Sequence, residues 1–436
     1  MSSISKISET FSPEMEGKSV TLRGWLYRTR TGGGGKMVFA VLRDSSGIIQ
    51  ATVKKENVDD KSFKNASEAY VESSVILSGT VKKDERAPGG YEIQVSSFET
   101  VCRGEPFPVA KDLSDEFLLD IRHLWIRSQK VTRILKIRST MVQAIHEFFQ
   151  KRSYYLFDPP IISPNACEGK MTLFEVNYFG EKKYLTQSWQ LYAEAAIFSL
   201  EKIYDVSPTF RAEKSRTARH LAEFWMAEME AAWMELDEVT EVAKDEVKFI
   251  VEKVLEKHEE DLKFLGRDVD KLKKAVAKPF PTITYTEALK ILKEKEGVEM
   301  QWGEDLRTLE EEKLMKHFDT PIVVTNYPVE IMSFYKPRDP KDPKTALCFD
   351  MLAPEGFGEI VGGSQRSTDM KDIIERIEKE GGKPEDYKWY LELRKYGSVP
   401  HSGYGVGVER MVRWICGLDD IKDSIAFPRT LTRCYP

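Results

Sequence analysis

The stretch FRAEKSRTARHLAEFWMAEME, residues 210–230, reads as a strand, a polar loop and a returning strand. Side chains on a strand alternate between two faces, so Arg211 and Glu213 share one side of the first strand. Phe224 and Glu228 share one side of the second strand by the same rule. If both of these faces line one binding surface, that surface offers a guanidinium for phosphate, an aromatic ring for stacking and carboxylates for amines or amides.

The loop KSRTAR between these strands is basic. It carries Lys214, Arg216 and Arg219, and His220 follows directly. Several cations in a short loop suit a ligand that is rich in phosphate. The same pattern also fits a solvated basic turn between core strands, so the stretch alone leaves both interpretations open.

A second stretch, GYGVGVERMVRW at residues 403–414, reads as a glycine-rich strand running into a helix. Glycines at alternate strand positions remove the side chains from one face, so a flat ligand can lie on the backbone. Arg410 follows the strand, where it can stack on a base or reach a terminal phosphate. The spacing of these glycines does not fit a Rossmann motif, and Gly32–Lys36 does not fit a P-loop. The two stretches together predict a nucleoside triphosphate site built on a sheet.

Bulk composition describes an ordinary globular chain. It has 436 residues, 41% hydrophobic and 31% charged, which predicts two or three domains. No membrane-length apolar run and no signal peptide are evident. The five cysteines include no CxxC pair, which argues against a disulfide framework or structural zinc and favours a cytoplasmic location. The net charge of −6 does not by itself indicate a nucleic-acid binder.

The chain divides by pattern into three parts. Residues 1–104 contain five alternating segments with one interposed helix, which predicts an OB-type barrel. Residues 105–125 contain two prolines and mixed charge, as a linker does. Residues 126–436 mix helices and strands, and the charge-rich segment at about 235–345 is interpreted as an insertion in a catalytic sheet.

These motifs resemble the class II aminoacyl-tRNA synthetases of the aspartyl, asparaginyl and lysyl subgroup. The three signatures of that family match the helix and strand ending at Pro160, residues 211–230, and residues 403–413. The resemblance implies an α+β fold, in which an OB-type anticodon-binding barrel joins a catalytic domain of antiparallel sheet flanked by helices. It also implies a homodimer with Pro160 at the interface.

The resemblance implies specific roles at the nucleotide. Arg211 and Arg410 would be the catalytic residues, with Arg211 on the α-phosphate and Arg410 and Phe224 on opposite sides of the adenine. Magnesium would accompany ATP as cofactor, held by Glu359 with Asp350 as a second carboxylate. The implied ATP-binding residues are Arg211, Glu213, Arg219, His220, Leu221, Phe224, Glu359, Gly407, Val408, Glu409 and Arg410.

The residues that the resemblance assigns to the amino-acid pocket indicate which amino acid is the substrate. It would draw on Glu168, Gln187, Ser188, Gln190, Arg211, Glu228, Gly362 and Arg366. Aspartyl enzymes of the family have a lysine where this chain has Ala193, aspartate where it has Glu228, and serine where it has Gly362. An arginine that can bind a carbonyl and a glutamate that can bind an amide NH2 together match the side chain of asparagine. The sequence FPRT, which ends at Thr430, resembles the asparaginyl enzymes. Unpaired polar groups reject the wrong substrate, so no editing domain is needed.

The barrel carries the implied tRNA contacts. The anticodon-binding residues would be Trp25, Arg28, Phe39, Arg43 and Gln50. In the family, the equivalents of Phe39 and Gln50 take the middle anticodon base, a uridine. OB folds bind single strands by stacking and by edge hydrogen bonds, although Phe39 alone also fits a place in the barrel core.

The expected reaction is therefore ATP-dependent ligation of asparagine to tRNA through an adenylate, without an enzyme nucleophile. His401 and Cys167 are expected to be structural or to line the substrate. Three alternatives stay open: an aspartyl enzyme, including one that charges both tRNAs; an asparagine synthetase paralogue that does not use tRNA; and a nucleic-acid binding module with a degenerate catalytic body.

Overall fold

The computed structural model describes residues 4–109, 113–168, 172–214 and 217–436. The chain forms two compact units, Met1–Leu118 and Leu119–Pro436. The boundary between them falls inside the linker predicted over 105–125, of which residues 110–112 lie outside the described part of the chain. The domain limits expected from the sequence remain predictions.

The first unit is a closed five-stranded barrel. Its strands are β1 (Ser19–Gly32), β2 (Met37–Arg43), β3 (Ile48–Lys54), β4 (Ser74–Lys83) and β5 (Tyr91–Cys102), and they pair in the order β1-β2-β3-β5-β4. Helix α1 (Asp60–Glu68) lies between β3 and β4 in the chain. The predicted OB-type barrel is thereby confirmed.

Alternation along β2 shows why this sequence closes a barrel. Val38, Ala40 and Leu42 are buried inside, whereas Phe39 and Arg43 point outward and are partly exposed. The outward face of β1, β2 and β3 therefore carries the aromatic and polar side chains, and the interior carries the aliphatic ones.

The second unit is organised around an eight-stranded sheet. Its strands are β6 (Tyr155–Leu156), β10 (Lys202–Phe210), β11 (Glu223–Ala232), β12 (Thr282–Thr284), β13 (Ile322–Thr325), β14 (Cys348–Ala353), β15 (Gly358–Gln365) and β16 (His401–Gly407). They pair in the order β12-β13-β14-β15-β16-β11-β10-β6, antiparallel except at the two ends. A smaller sheet pairs β7 (Ile162–Ser163), β9 (Glu181–Leu185) and β8 (Glu175–Tyr178) in that order. Its three strands lie between β6 and β10 in the chain.

Helices complete the unit and confirm an α+β fold. They are α2 (Asp115–Asp120), α3 (Arg122–Trp125), α4 (Gln129–Lys151), α5 (Gln190–Leu200), α6 (Leu236–Phe264), α7 (Val269–Ala277), α8 (Tyr285–Glu296), α9 (Thr308–Met315), α10 (Met370–Lys379), α11 (Lys388–Glu392) and α12 (Val408–Cys416). Apolar faces of α4, α6 and α12 share one core with the central strands. No described helix is both long and apolar enough to cross a bilayer.

The strand expected to end at Pro159 and Pro160 is only Tyr155–Leu156, and neither proline can donate a backbone hydrogen bond that would extend its ladder. The segment 235–345 contributes β12 and β13 to the main sheet, since β13 pairs with β12 and β14. Its interpretation as an insertion remains a prediction.

Candidate active site and nucleic-acid surface

Glycines opposite acidic side chains form the floor of the candidate site. Glu228 on β11 faces Gly405 on β16, and Gly405 faces Gly362 on β15. A Cβ atom at Gly405 would lie 2.4 Å from the Met226 Cε, and one at Gly362 would lie 3.0 Å from the Glu359 Oε1. The absence of side chains on these strands therefore leaves room for the groups that stand on their neighbours.

A pocket opens over this floor and encloses about 1050 Å³, including the solvent at its mouth. The structure brings most of the predicted site residues to its wall: Glu168, Ser188, Gln190, Arg211, Glu213, Arg219, His220, Leu221, Phe224, Glu228, Asp350, Glu359, Gly362, Arg366, Gly407, Glu409 and Arg410.

The loop between β10 and β11 supplies one end of the pocket. The Arg211 guanidinium lies 5.5 Å from the centre of the Phe224 ring, and its Nε is buried with no acceptor among the described residues. Glu213 stands 3.6 Å from the His220 ring. Arg211, Glu213 and His220 thus lie in the loop and not within the strands, and Arg216 lies outside the described residues.

Arg410 reaches the same pocket from the start of α12. Its Nη1 donates to the Glu359 carboxylate at 2.7 Å and to the Glu359 carbonyl at 3.2 Å. The pair fixes an arginine above the floor formed by β15 and β16. Phe224, Arg410 and Glu228 all line this one pocket.

Arg219 is engaged by acidic residues of α9. It donates to Glu311 at 3.0 Å, to Glu312 at 2.8 Å and to the Gly356 carbonyl at 2.5 Å. A phosphate that binds Arg219 therefore has to compete with these two carboxylates.

Asp350, Glu359 and Glu311 affect one another's ionisation near Arg410. Burial and the Glu359 charge raise the pKa of Asp350 to about 8 and that of Glu311 to about 7. Carboxylates that hinder each other's ionisation are a favourable place for a divalent cation. Among the described residues no group of three or more His, Cys, Asp or Glu side chains could hold a metal ion. Asp350 and Glu359 both line the pocket.

Glu228 stands at the opposite end of the pocket. It accepts from the Ser188 hydroxyl at 2.6 Å and from the Trp189 backbone N–H at 3.2 Å. Burial raises the pKa of Glu228 to about 7, although these two hydrogen bonds oppose that rise. Its carboxylate is therefore shielded from water, and each of its oxygens can accept a further hydrogen bond.

Arg366 is held by Glu230, which lies two residues after Glu228 on β11. Arg366 Nη2 donates to the Glu230 carboxylate at 2.8 Å, and Nη1 donates to the Ser364 hydroxyl at 2.8 Å. Arg366 is only 5% exposed. Arg366 also lines the pocket.

Glu168 and Gln187 take different positions relative to the pocket. Glu168 lines the pocket and accepts from the Tyr335 and Ser333 hydroxyls. Gln187 lies behind it, where its Oε1 accepts from the backbone N–H groups of Cys167 and Glu168 at 3.1 and 3.0 Å. Gln187 therefore supports the loop that carries Glu168.

Two predicted residues of the 403–414 stretch turn toward the protein interior. Val408 is fully buried in the core beneath the sheet. Glu409 touches the pocket wall, but its carboxylate pairs with Arg138 at 2.7 Å and accepts from the Trp225 N–H at 2.9 Å. The two contacts of Glu409 anchor α12 to α4 and β11.

His401 and Cys167 are enclosed by protein. The His401 ring lies between the Val399 carbonyl at 2.7 Å and Glu194 at 3.1 Å. Burial raises the pKa of the Cys167 thiol well above its ordinary value, so it is a poor nucleophile.

Sequence reasoning missed several residues of the pocket wall, among them Met226, Tyr335, Lys336, Ile360 and Tyr404. Tyr335 and Lys336 belong to an irregular segment without strand or helix periodicity, so no pattern marked them. Met226 lies between Phe224 and Glu228 on the same face of β11, and strand alternation could have identified it.

The barrel carries the second predicted surface. Trp25 pairs in register with Arg43, whose guanidinium lies 5.6 Å from its ring, and Arg43 also pairs with Glu72 at 2.8 Å. Phe39 lies on the same outward face, with the Arg30 guanidinium 4.5 Å from its ring centre.

Gln50 lies next to that face on β3, and Arg28 lies on β1, with its guanidinium 5.4 Å from the Tyr27 ring. Gln50 donates to Glu92 at 3.1 Å, and Glu92 also accepts from Thr52. Arg30 and Glu92 are additions that the sequence did not single out.

Comparison with known proteins identifies the family of both units. Residues 114–431 match the tRNA synthetases class II (D, K and N), and residues 20–101 match the OB-fold nucleic acid binding domain. An asparagine–tRNA ligase of Thermococcus kodakarensis is 50% identical over 425 residues, 98% of each chain. One of Thermoplasma acidophilum is 46% identical over 430 residues, 99% of each chain.

The solved structures agree with this family. A crystal structure of asparaginyl-tRNA synthetase from Pyrococcus horikoshii complexed with asparaginyl-adenylate matches with a TM-score of 0.96 at 46% identity, over 100% of both chains. A structure of the asparaginyl-tRNA synthetase of Entamoeba histolytica in complex with asparaginyl-adenylate matches with a TM-score of 0.89 at 30% identity, again over both whole chains.

Proposed function

Because the chain belongs to the class II tRNA synthetases of the D, K and N group, we propose that it ligates asparagine to tRNA through an asparaginyl-adenylate, using ATP. The observation that carries the proposal is one pocket with two chemically distinct ends. Arg211, Phe224 and Arg410 line one end, and Glu228 and Arg366 line the other.

The nucleotide end suits displacement at the α-phosphorus. The asparagine carboxylate attacks that phosphorus, the bond to the β-phosphate oxygen breaks, and pyrophosphate leaves. The orphaned Nε of Arg211 is available to an oxygen of the α-phosphate or the carboxylate. Phe224 and the guanidinium of Arg410 can enclose the base, so positioning and positive charge provide the catalysis.

Asp350 and Glu359 would hold Mg²⁺ with the ATP phosphates, which is the arrangement that this ion prefers. When bound, the ion would withdraw charge from the phosphate oxygens and assist departure of pyrophosphate. Arg410 already neutralises part of the Glu359 charge, which leaves Asp350 as the carboxylate with more to gain from a cation.

The amino-acid end supports asparagine over aspartate. An ionised Glu228 accepts a hydrogen bond from an amide NH2 and repels a carboxylate, while Arg366 donates to the amide carbonyl. Ala193, in the place of the aspartyl enzymes' lysine, is fully buried in a hydrophobic cluster and adds no charge to the pocket.

The outward barrel face supports binding of the tRNA anticodon. Trp25 and Phe39 offer rings for stacking, and Arg28, Arg43 and Gln50 offer donors to phosphate or base edges. Magnesium, ATP, asparagine and tRNA are thus the proposed cofactor and partners. We place the protein in the cytoplasm, where its five free cysteines would stay reduced.

We further propose a homodimer formed through the β6 edge. Tyr155, Leu156 and Ile161 are 59%, 50% and 43% exposed, and Pro160 lies among them. An apolar patch beside an edge strand is a surface that a second copy can cover. Sedimentation of wild type and of Leu156→Asp tests this directly.

Pyrophosphate exchange tests the proposed function. We expect asparagine-dependent exchange that is faster than exchange with aspartate, followed by charging of tRNA. Faster exchange with aspartate would overturn the choice of amino acid. Release of free asparagine from aspartate and ammonia without tRNA would overturn the ligase assignment.

A further inference from the structure

Glu194 is a buried carboxylate directly behind the amino-acid end of the pocket. It lies four residues after Gln190 on α5, so both side chains share one face of the helix. Gln190 Nε2 donates to Glu194 Oε1 at 3.0 Å. Gln190 lines the pocket, whereas Glu194 is fully buried and does not.

The other partners of Glu194 keep it ionised. Arg394 and the Tyr390 hydroxyl donate to its carboxylate, and the His401 ring nitrogen lies 3.1 Å away. Burial alone would raise the pKa of Glu194, but the Arg394 charge and the His401 contact lower it below its ordinary value. Glu194 therefore acts only as a hydrogen-bond acceptor.

An acceptor in this place determines the orientation of the Gln190 amide. The NH2 group has to face Glu194, so the carbonyl Oε1 has to face the pocket. No described residue donates to that oxygen. The Ser188 hydroxyl accepts from the Gln190 backbone N–H at 3.1 Å and donates to Glu228, so the same short segment orders both groups.

We propose that Glu194 is a positioning residue, which holds the Gln190 carbonyl toward the pocket as an acceptor for the α-ammonium group of the amino acid. This inference rests on the proposed function, because it takes asparagine as the ligand. Glu194 does not touch the substrate and acts through Gln190.

The decisive variant is Glu194→Gln. The donors Arg394 and Tyr390 would take the carbonyl of the new amide, so its NH2 would point at Gln190. Gln190 would then turn its own carbonyl inward and present NH2 to the pocket, where it faces an ammonium group without an acceptor. We expect the KM for asparagine to rise about tenfold or more, since a hydrogen bond to a charged group is lost.

A swap of the two side chains provides the rescue. In Gln190→Glu with Glu194→Gln, the amide at 194 donates to one oxygen of the carboxylate at 190, and the other oxygen faces the ammonium. The number of buried carboxylates is unchanged. We expect the KM for asparagine to return to within about threefold of wild type, which is less than the effect of one charged hydrogen bond. Tyr390→Phe, which removes a donor to Glu194 but keeps its charge, is the matched control.

A ligand without the α-amino group separates positioning from damage. Succinamic acid is asparagine with that group replaced by hydrogen, and its inhibition constant should change less than about twofold in Glu194→Gln, because it makes no charged contact there. Equal weakening of asparagine and succinamic acid would overturn the proposal, as would a swap variant no better than the single variant. If Glu194→Gln does not fold, the folded swap compared with Gln190→Glu gives the same decision.

Different results would refute the proposed function and the positioning role of Glu194. A wild-type protein that does not activate asparagine would refute the proposed function. A wild-type protein that does so, with a Glu194→Gln variant of unchanged asparagine KM, would refute only the positioning role.

Discussion

Glu230 and Arg366 form a buried ion pair that depends on the missing side chain at position 403. Arg366 Nη2 lies 2.8 Å from Glu230 Oε2, and both residues are almost completely enclosed. A Cβ atom at Gly403 would lie 2.1 Å from that same oxygen and 2.7 Å from the guanidinium nitrogen. The glycine-rich strand therefore makes room for the arginine as well as for a flat ligand.

Gly403→Ala should displace Arg366 and impair asparagine activation. The methyl group would also meet the Met229 carbonyl at 2.4 Å, so relaxation of one side chain cannot remove the overlap. We expect a loss of about a hundredfold in kcat/KM for asparagine, the scale typical of a lost substrate-stabilising donor, measured by pyrophosphate exchange.

The control for this variant is Gly47→Ala in the barrel. A Cβ atom at Gly47 would have its nearest neighbour at 3.6 Å, an ordinary contact. Exchange activity of the Gly47 variant should match wild type. A Gly403→Ala protein with unchanged kcat/KM would show that Arg366 does not contribute to binding of asparagine.

The elevated pKa of Glu228 predicts that selectivity depends on pH. Burial raises this pKa to about 7, so the carboxylate is ionised above that pH and protonated below it. The ionised form accepts more strongly from the amide NH2 and repels a carboxylate, whereas the protonated form can donate to aspartate. The preference for asparagine over aspartate should fall by about tenfold between pH 8 and pH 6. Exchange rates with each amino acid measure it.

Glu228→Gln isolates that effect. The variant has no titrating group at this position, so its preference should be low and flat across the same pH range. The KM for ATP should stay constant in both proteins, since ATP binds at the other end. A wild-type preference that is flat across pH 6–8 would contradict the elevated pKa.

Arg410→Ala should nearly abolish formation of the adenylate. The variant removes a cation that faces the nucleotide and leaves Glu359 without its 2.7 Å partner. We expect exchange to drop by about a hundredfold or more, with the folded state intact by circular dichroism. Arg338→Ala, at an exposed ion pair with Asp372, is the control and should leave exchange unchanged.

Phe39→Ala should separate charging of tRNA from activation of asparagine. Phe39 lies on the outward barrel face in the first unit, whereas the pocket belongs entirely to the second. Loss of a stacking ring costs about 1–3 kcal/mol per base, so the KM for tRNA should rise by about tenfold or more. Tyr70→Ala removes another exposed aromatic side chain of the same unit, and it should leave that KM unchanged.

Exchange without tRNA should be identical in Phe39→Ala and wild type. A fall in exchange would mean that the substitution has disturbed the catalytic unit. An unchanged KM for tRNA would show that Phe39 only covers the barrel surface.

Local sequence patterns predicted individual strands and the barrel, whereas contacts between distant segments were not predictable. Strand alternation marked the barrel and the two central strands, because burial on one face imposes a period of two. The pairing of Arg219 with Glu311 and Glu312 was not predictable, since these glutamates lie 92 and 93 residues later in the chain. Gln187 and Gln190 look alike in sequence, and only the turn before α5 decides that one supports Glu168 and the other faces the pocket.

Glu246 predicts a pH dependence of stability that is separate from activity. This glutamate is fully buried on α6, where it accepts from the Tyr404 hydroxyl at 2.6 Å, and burial raises its pKa from 4.5 to about 8. The folded state therefore keeps a proton that the unfolded state releases above pH 4.5. The stabilisation is complete below pH 4.5 and is lost progressively as the pH rises to about 8.

Glu246→Gln removes this titration because glutamine stays neutral and can still accept from Tyr404. Between pH 5 and 8 the free energy of unfolding of wild type should fall, relative to the variant, by roughly 1.4 kcal/mol per pH unit at most. Urea unfolding at several pH values measures this difference. Glu256→Gln, at an exposed position on the same helix, should run parallel to wild type, and a Glu246→Gln curve parallel to wild type would show that this glutamate is ionised in the folded protein.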